Sequence, residues 1–398
     1  MRRGVQPGLE RIREILARLD NPERAFRVVL VGGSNGKGST ARALAAILQS
    51  AGVRTGLYTS PHLLRFSERI VVDGQEAAEH ELEKELEQLW PHVEAVGASY
   101  FEAVTALALV YFARREVELA VLEVGLGGRF DAVNASEPEL SLITNLSLEH
   151  TDWLGPTLTH IAREKAGIMR PGRPVLSAAA GWAAELLAAE ARRRGALLDF
   201  ARPQMVEPAA YGVDFSLAGR RYHGVLMGRF QAANLALAAR AALLLGVGEK
   251  HVEEGLRAVR NPGRLSYYPA ERLLCDGAHN PSGARALARA LADYFPTSRK
   301  TLVFAVSADK DAAAMAAALR PHFGQALLTT YPGVRSRDPA ELVGYFPAAE
   351  IEPDPAVALA RAQAGRPPGG LVVAAGSLYL LAALARARAG LPVEERSQ

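Results

Sequence analysis

The chain has 398 residues, 49% of them apolar and 22% charged, with a formal net charge of +3. That length exceeds one ordinary domain, and the balance gives ample core with no signature of disorder. So small a net charge, spread along the chain, is too weak to argue for a nucleic-acid partner but leaves room for a locally basic cleft that takes an acidic substrate, and the single cysteine, Cys275, excludes an internal disulfide and any multi-cysteine metal site.

A reducing cytoplasm suits this composition. The two arginines near the start have no apolar run behind them, so no secretory leader is expected there. The longest apolar stretch, 371–385, is interrupted by Gly376-Ser377 and followed by arginines. It reads as a buried strand turning into a helix and not as a membrane span.

Leu9, Ile12, Ile15, Leu16 and Leu19 mark a short amphipathic helix. The apolar run 28–31 then breaks into Gly32-Gly33-Ser34-Asn35-Gly36-Lys37-Gly38-Ser39-Thr40 and opens a helix over 41–48. Strand, glycine-rich turn and helix make the setting of a phosphate cradle, because turned N–H groups and a helix N-terminus favour an anion. Lys37 would reach the outer phosphates, and Ser39 or Thr40 could face a metal. The strict pattern GxxxxGK[ST] is not met: Val31 replaces its first glycine, and Gly38 directly follows the lysine. A plain glycine-rich turn with a surface lysine is the alternative.

A strand over 54–58 leads into the oxygen- and charge-rich loop 59–70, where Pro61 disfavours a helical Ser60. Helices are expected at 79–96 and 101–115. The strand 119–124 carries Glu123 at its C-terminal end, where ligands gather in open α/β sheets. Glu123 is therefore a candidate Mg²⁺ holder, with a buried pair to Arg129 as the alternative. The strand 140–145 places His150, beside Asp152, just past its end, as a metal or phosphate ligand or as a structural residue. A helix over 161–169 bears Glu164 and Lys165. Strand, helix and strand follow at 173–177, 181–194 and 197–201, then a hairpin at 214–226.

Gln231 and Asn234 share one face at the start of an alanine-rich helix, where they could read an adenine edge or simply cap the helix. A Pro-Gly linker at 259–265 marks the domain boundary. Beyond it, strands at 272–276, 301–306, 326–330 and 371–375 alternate with helices from 282 and at 312–319, 356–364 and 378–388. These four strands predict a second, smaller doubly wound sheet, with Asp276 and His279 at the tip of its first strand.

The strings GGSNGKGST at 32–40, YTSPHLLRFSERI at 58–70, YFEAVTALAL at 100–109 and LEVGLGGRFDAVNA at 122–135 occur in that order. EHTDWLG at 149–155, EKAGI at 164–168, NPGRLS at 261–266, DGAHNP at 276–281 and VSADKD at 306–311 complete the set. On these the chain closely resembles the dihydrofolate synthase/folylpolyglutamate synthase family of the Mur ligase superfamily, over nearly its whole length. The resemblance implies an α/β protein: a P-loop-containing, Mur-ligase-type central ATPase domain at 1–260, with a small β-rich segment near 197–226. A smaller Rossmann-like C-terminal domain would follow at 261–398, with the amide-forming site between the two.

The implied reaction is ATP-dependent. A folate-type carboxylate takes the γ-phosphate of ATP, and the amino group of L-glutamate then displaces phosphate from the acyl phosphate. Asn35, Gly36, Lys37, Gly38 and Ser39 match the ATP loop, and Asn234, Arg264 and Asp276 match further nucleotide contacts. His279, in the motif of Asp276, is assigned to the phosphate or glutamate side. Ser60, Glu123 and His150 match Mg²⁺ ligands. Lys165 matches a lysine carbamylated in this family, whose carbamate would hold a second Mg²⁺; an ordinary ammonium paired with Glu164 is the alternative. Lys37, Lys165 and His150 are the implied catalytic residues. Ser99, Tyr100, Phe101 and Glu102, with Phe130, Asp131 and Ala132, match segments that hold the pteroate part, and K⁺ is admitted as an accompanying cation.

Ser34 stands where the family usually has threonine, and Phe230 where a histidine usually precedes Gln231. The implied partners are ATP, L-glutamate and dihydropteroate or a reduced folate, acting on a cytoplasmic monomer without nucleic acid or membrane. Bifunctional action on both acceptors is the leading expectation. A monofunctional member, a Mur-type ligase of a cell-wall precursor and a nucleotide-binding module without ligase activity are the rivals.

Overall fold

The computed structural model describes residues 8–347 and 349–391. Its contacts divide the chain into two units, one of Met1–Val206, Asp214–Val225 and Gln231–Arg260, the other of Glu207–Val213, Leu226–Phe230 and Asn261–Gln398.

The first unit opens with α1 (Glu10–Arg18), whose Ile12, Ile15 and Leu16 are buried at helical spacing. β1 (Arg27–Gly32) runs straight into the glycine turn, and α2 begins at Lys37 (Lys37–Ser50), one turn earlier than the apolar run suggested. The difference arises because Gly36 takes a left-handed conformation (φ 89°) as the residue before the helix, which lets Lys37 be its first member. There follow β2 (Thr55–Tyr58), β3 (Ile70–Val72), β4 (Gln75–Glu76), α3 (Glu79–Val96), α4 (Tyr100–Arg114) and β5 (Leu119–Glu123). Then come β6 (Leu140–Ile143), α5 (Thr151–Leu154), α6 (Leu158–Lys165), β7 (Pro174–Ser177), α7 (Trp182–Arg194) and β8 (Leu197–Phe200). α6 tightens into a 3₁₀ turn at Ala166–Ile168 instead of continuing as one helix to Met169.

These strands form one sheet in the order β4-β3-β2-β5-β1-β6-β7-β8. The pairs from β2 to β8 are parallel, and β3 and β4 add an antiparallel edge. β1 is therefore central, flanked by β5 and β6, so the chain reverses its winding there. That crevice, at the carboxyl ends of β1, β5 and β6, is where an α/β sheet takes its ligand.

Residues 197–200 do not belong to a small β-rich segment. Leu197 pairs in parallel with Pro174, so β8 is the edge of the main sheet. The separate sheet comprises β9 (Gln204–Ala209), β10 (Gly212–Leu217) and β11 (Arg220–Gly224), in the order β11-β10-β9. α8 (Arg229–Leu244) follows, then α9 (Glu249–Ala258), a helix the sequence reading left out.

Among the described residues the second unit's sheet has six strands, not four, in the order β12-β13-β17-β14-β15-β16. They are β12 (Ser266–Tyr268), β13 (Leu273–Asp276), β14 (Lys300–Phe304), β15 (Gln325–Leu328), β16 (Ala349–Ile351) and β17 (Leu371–Ala375). The four expected strands form its parallel centre; β12 is an antiparallel edge, and β16 pairs with β15. α10 (Pro281–Tyr294), α11 (Ala312–Leu319), α12 (Pro355–Ala364) and α13 (Leu378–Arg388) complete it. Among the described residues no helix is long and apolar enough to cross a membrane.

α2 carries the glycine loop, and α9 packs against it so closely that a Cβ on Gly255 would lie 2.3 Å from the Ile47 Cα. Gly255→Ala raises helix propensity but cannot fit without moving backbone. It is expected to lower unfolding free energy by about 1–3 kcal/mol in urea denaturation, whereas a gain would mean that α9 is free to shift.

Candidate functional site

The loop between β1 and α2 is stapled to the segment that leaves β6. Ser34 N–H donates to the Asn145 carbonyl (2.9 Å), and Asn35 N–H donates to Asn145 Oδ1 (2.9 Å). The Ser34 hydroxyl accepts from Ser147 N–H (2.9 Å) and donates to the Ser147 carbonyl (3.2 Å). A hydroxyl is what this position needs, so serine in place of threonine keeps the staple. Gly33 (φ 130°) leaves no room for a side chain, since its Cβ would sit 1.9 Å from Thr144 Oγ1. Gly36 is held just as tightly, with its Cβ position 2.1 Å from Asn234 Oδ1.

Two lysines converge on one oxygen of this loop. Lys37 Nζ donates to the carbonyls of Gly33 and Ser34 (3.1 Å each), and Lys165 Nζ donates to the same Gly33 carbonyl (2.8 Å). Lys165 is only 2% exposed at its side chain, and Glu149 Oε1 lies 2.7 Å from its Nζ. Its partner is thus Glu149 and not Glu164, because neighbours on a helix point in different directions. Burial, and then the charge of Lys37, push the Lys165 pKa down to about 8 against the pull of Glu149. Glu149, although burial alone would raise its pKa, is held below the usual carboxylate range by Lys165 and Lys37. It is the residue of this centre that sequence reasoning passed over, despite heading the string EHTDWLG.

Glu123, buried at the end of β5, does not pair with Arg129. Its Oε2 accepts from Ser60 N–H (3.1 Å) and lies 3.3 Å from where a Gly38 Cβ would be, so it faces the first turn of α2. Arg42, on that helix, donates from Nη2 to Thr59 Oγ1 (3.1 Å) and adds positive charge near Glu123. His150 is exposed, with a left-handed backbone (φ 47°), just before α5. Among the described residues no group of three or more His, Cys, Asp or Glu side chains is placed to hold a metal ion. One carboxylate with neighbouring hydroxyl oxygen nevertheless suits Mg²⁺, a hard ion that keeps waters and takes its other ligands from phosphates.

The two segments matched to pteroate binding divide into framework and surface. Ser99 and Glu102 form a capping box at the start of α4: Ser99 Oγ accepts from Glu102 N–H, and Glu102 Oε2 accepts from Ser99 N–H (2.7 Å). Arg11 adds an ion pair to Glu102 at 3.1 Å. Asp131 is buried and ties the turn after β5, accepting from the N–H groups of Gly125, Leu126 and Val133. Burial outweighs those donors and raises its pKa to about 6. Ala132 is buried beside it. Tyr100 and Phe130 are exposed, each at 43%, and the Phe101 ring closes over Gly125. Phe130 is thus a surface aromatic.

Gln231 and Asn234 are both buried, and Asn234 Nδ2 donates to Gln231 Oε1 (2.8 Å). The Thr40 hydroxyl also donates to the Asn234 carbonyl (3.4 Å). These amides therefore pack against the glycine loop, beneath Gly36 and Thr40. Buried Ser39 lies on the same turn, one residue before Thr40.

In the second unit, Asp276 ends β13 and is buried. It accepts from Leu265 N–H (2.8 Å) and Ala278 N–H (2.9 Å), binding the turn that carries Arg264 to its own strand tip. Burial raises its pKa, and the charge of Arg264 opposes that rise. His279 Nδ1–H donates to the Gly277 carbonyl at 2.9 Å, which directs Nε2 away from that bond. Asn280 then caps α10. Arg264, Asp276 and His279 form one cluster in this unit.

Residues 31–242 match the Mur ligase middle domain, and residues 263–378 match the Mur ligase, glutamate ligase domain. The dihydrofolate synthase/folylpolyglutamate synthase of Bacillus subtilis is 36% identical over 331 residues, 77% of each chain. A probable bifunctional folylpolyglutamate synthase/dihydropteroate synthase of Haloferax volcanii is 36% identical over 95% of this chain, which spans only 48% of that protein. The solved structure of E. coli FolC in complex with DHPP and ADP superimposes with a TM-score of 0.90 at 30% identity, covering 98% of this chain and 95% of that one. The bifunctional folylpolyglutamate synthase/dihydrofolate synthase of Yersinia pestis, complexed with AMPPNP and Mn ion, gives 0.88 at 30% identity, covering 98% and 95%.

The buried Lys165 gives a pH signature. Its ammonium loses a proton near 8 in the fold but near 10.5 in the unfolded chain, so the unfolded state binds more protons between those values. In CO₂-free buffer the unfolding free energy of wild type relative to Lys165→Met is therefore expected to rise from about pH 8 to 10.5. A flat difference would show that Lys165 titrates as a solvent-exposed lysine does.

Proposed function

The chain belongs to the dihydrofolate synthase/folylpolyglutamate synthase family of Mur ligases, and from that membership we propose that it is an ATP-dependent amide ligase. It adds L-glutamate to 7,8-dihydropteroate, forming dihydrofolate, and to reduced folates, extending their glutamate tail. The observation that carries this reading is the convergence of the glycine loop, Lys37, Glu123 and the Lys165–Glu149 pair where β1, β5 and β6 end.

The chemistry follows from the leaving group. A carboxylate cannot expel oxide when an amine attacks, but an acyl phosphate expels phosphate. The acceptor carboxylate oxygen therefore forms a bond to the γ-phosphorus as the bond to ADP breaks. The glutamate nitrogen, having lost a proton, then bonds to the acyl carbon as phosphate leaves, giving the amide. Both steps crowd negative charge, so the protein's task is alignment and charge neutralisation.

Gly36, Gly38 and Ser39 present the loop's N–H groups and hydroxyl to the phosphates, Asn35 fixes the loop through its N–H bond to Asn145 Oδ1, and Lys37 swings from its loop carbonyls onto the outer phosphates. Asn234 supports the loop from below. Glu123, Ser60 and His150 would hold Mg²⁺, which when bound supplies positive charge to the transferring phosphoryl group. Lys165 is the proposed site of carbamylation: its lowered pKa yields the neutral amine that takes up CO₂, and the resulting carboxylate would hold a second Mg²⁺. Phe101, Tyr100 and Phe130 offer aromatic faces to the pteroate part, framed by Ser99, Glu102, Asp131 and Ala132. Arg264, Asp276 and His279 serve the nucleotide and glutamate side from residues 261–398, the proposed glutamate-ligase domain.

The test is phosphate release with Mg-ATP and L-glutamate, comparing 7,8-dihydropteroate with tetrahydrofolate monoglutamate. Turnover with both is expected, and Lys37→Ala is expected to lower kcat by about 10²–10³-fold. Turnover with one acceptor alone would restrict the enzyme to that step, and none with either would overturn the reading.

A further inference from the structure

Beside the turn that carries Phe130, Arg129, Arg163, Arg193 and Arg194 line an open cavity of about 450 Å³. All four belong to the first unit, yet none takes part in the phosphate site. Among the described residues, Glu190 is the one carboxylate paired with them. It lies 2.6 Å from Arg193 Nη2, 3.6 Å from Arg194 Nε and 3.9 Å from Arg163 Nε. Among the described residues Arg129 has no ion pair; its guanidinium lies 4.8 Å over the Phe130 ring. Arg194 Nε is buried without a hydrogen-bond partner, while its Nη2 donates to the Arg163 carbonyl (3.4 Å).

Four cations against one carboxylate leave a positive excess around this open cavity. Repulsion among them costs stability, and an anion seated there would relieve it. Guanidinium forks suit carboxylates in particular, since two parallel N–H groups meet two oxygens. The cavity has the size of a small-molecule site, about 300–1,000 Å³, and is too small for a folded partner.

We propose that this cavity binds the γ-linked glutamate tail of a folate acceptor through its α-carboxylates. The inference rests on the ligase reading above and names where the growing acceptor is held. A residue joined through its γ-carbon keeps its α-carboxylate, so every cycle adds one negative charge to the acceptor. The pteroate part alone carries a single carboxylate and has no use for four arginines. Arg129, one of the four lining arginines, lies over the ring of Phe130, the aromatic assigned to pteroate, so the cavity adjoins that aromatic.

The test uses the full chain and the double variant Arg163→Gln/Arg193→Gln. KM for tetrahydrofolate triglutamate is expected to rise about tenfold, with kcat and the KM for the monoglutamate unchanged. Arg163→Lys/Arg193→Lys is expected to recover part of the triglutamate affinity, which separates charge from packing. Equal effects on both acceptors, or no effect, would overturn the proposal. A second measurement is independent of turnover: calorimetric titration with γ-linked triglutamate peptide and, separately, with inorganic tripolyphosphate. Peptide binding that the Gln variant loses supports a tail site even if no acceptor is turned over, a result that would sink the ligase reading alone. Tripolyphosphate binding without peptide binding would overturn the tail site in favour of an inorganic polyanion.

Discussion

The centre depends on one carbonyl oxygen. Gly33 O accepts from Lys37 and from Lys165 together, so two ammonium groups are brought to a single acceptor in a region largely closed to water. That arrangement would not stand on hydrogen bonds alone, because like charges so placed repel. Glu149 offsets the excess from the far side of Lys165, and the staple of Ser34 and Asn35 to residues 145–147 keeps the carbonyl pointed at both lysines. Breaking a buried pair of this kind by removing one partner costs on the order of 3–5 kcal/mol. The loop's geometry is thus fixed by charge as much as by glycine.

The sheet order explains why these groups meet. With β1 between β5 and β6, three loops leave the sheet side by side, and each contributes a different chemical element. The loop after β1 gives N–H groups and Lys37, the end of β5 gives Glu123, and the segment after β6 gives Asn145, Ser147 and Glu149. α6 then returns Lys165 beneath them. Close packing leaves little room for drift: Gly128 lies against the Lys165 backbone, and Gly167 against Arg129. Those two glycines matter because a side chain at either would push α6, and with it Lys165, away from the loop.

Legibility in the sequence followed how local each cause is. The glycine loop and the central parallel strands could be read because each is signalled within a few residues. The capping box of Ser99 and Glu102 is equally local, each residue's polar groups serving the other. The short edge strands β3, β4, β12 and β16 were missed since two or three residues show no alternation. α9 was missed because it carries Gly255, which packs against Ile47 of α2 but counts against a helix on paper. The alternative that paired Lys165 with Glu164 shows the limit most plainly. Adjacency in sequence is a poor guide to ion pairing, and only the fold brings residue 149 to residue 165.

The phosphate centre and the arginine cavity answer two different electrostatic problems. In the proposed reaction, negative charge comes and goes at the glycine-loop centre in each cycle, so a fixed excess of cations must be tolerable when the nucleotide leaves. Pairing Lys165 with Glu149 and resting Lys37 on carbonyls provides that tolerance: Lys165 keeps a carboxylate partner, while Lys37 rests on neutral carbonyls, which compete with phosphates less than a carboxylate does. Around Glu190 the arginines share one carboxylate among three, and Arg129 rests on a ring. None of those bonds need break for a second anion to enter, because each guanidinium has five donors and the shared carboxylate occupies few of them. A site built in this way gains attraction with every carboxylate added to its ligand, which suits an acceptor whose charge grows as it is extended.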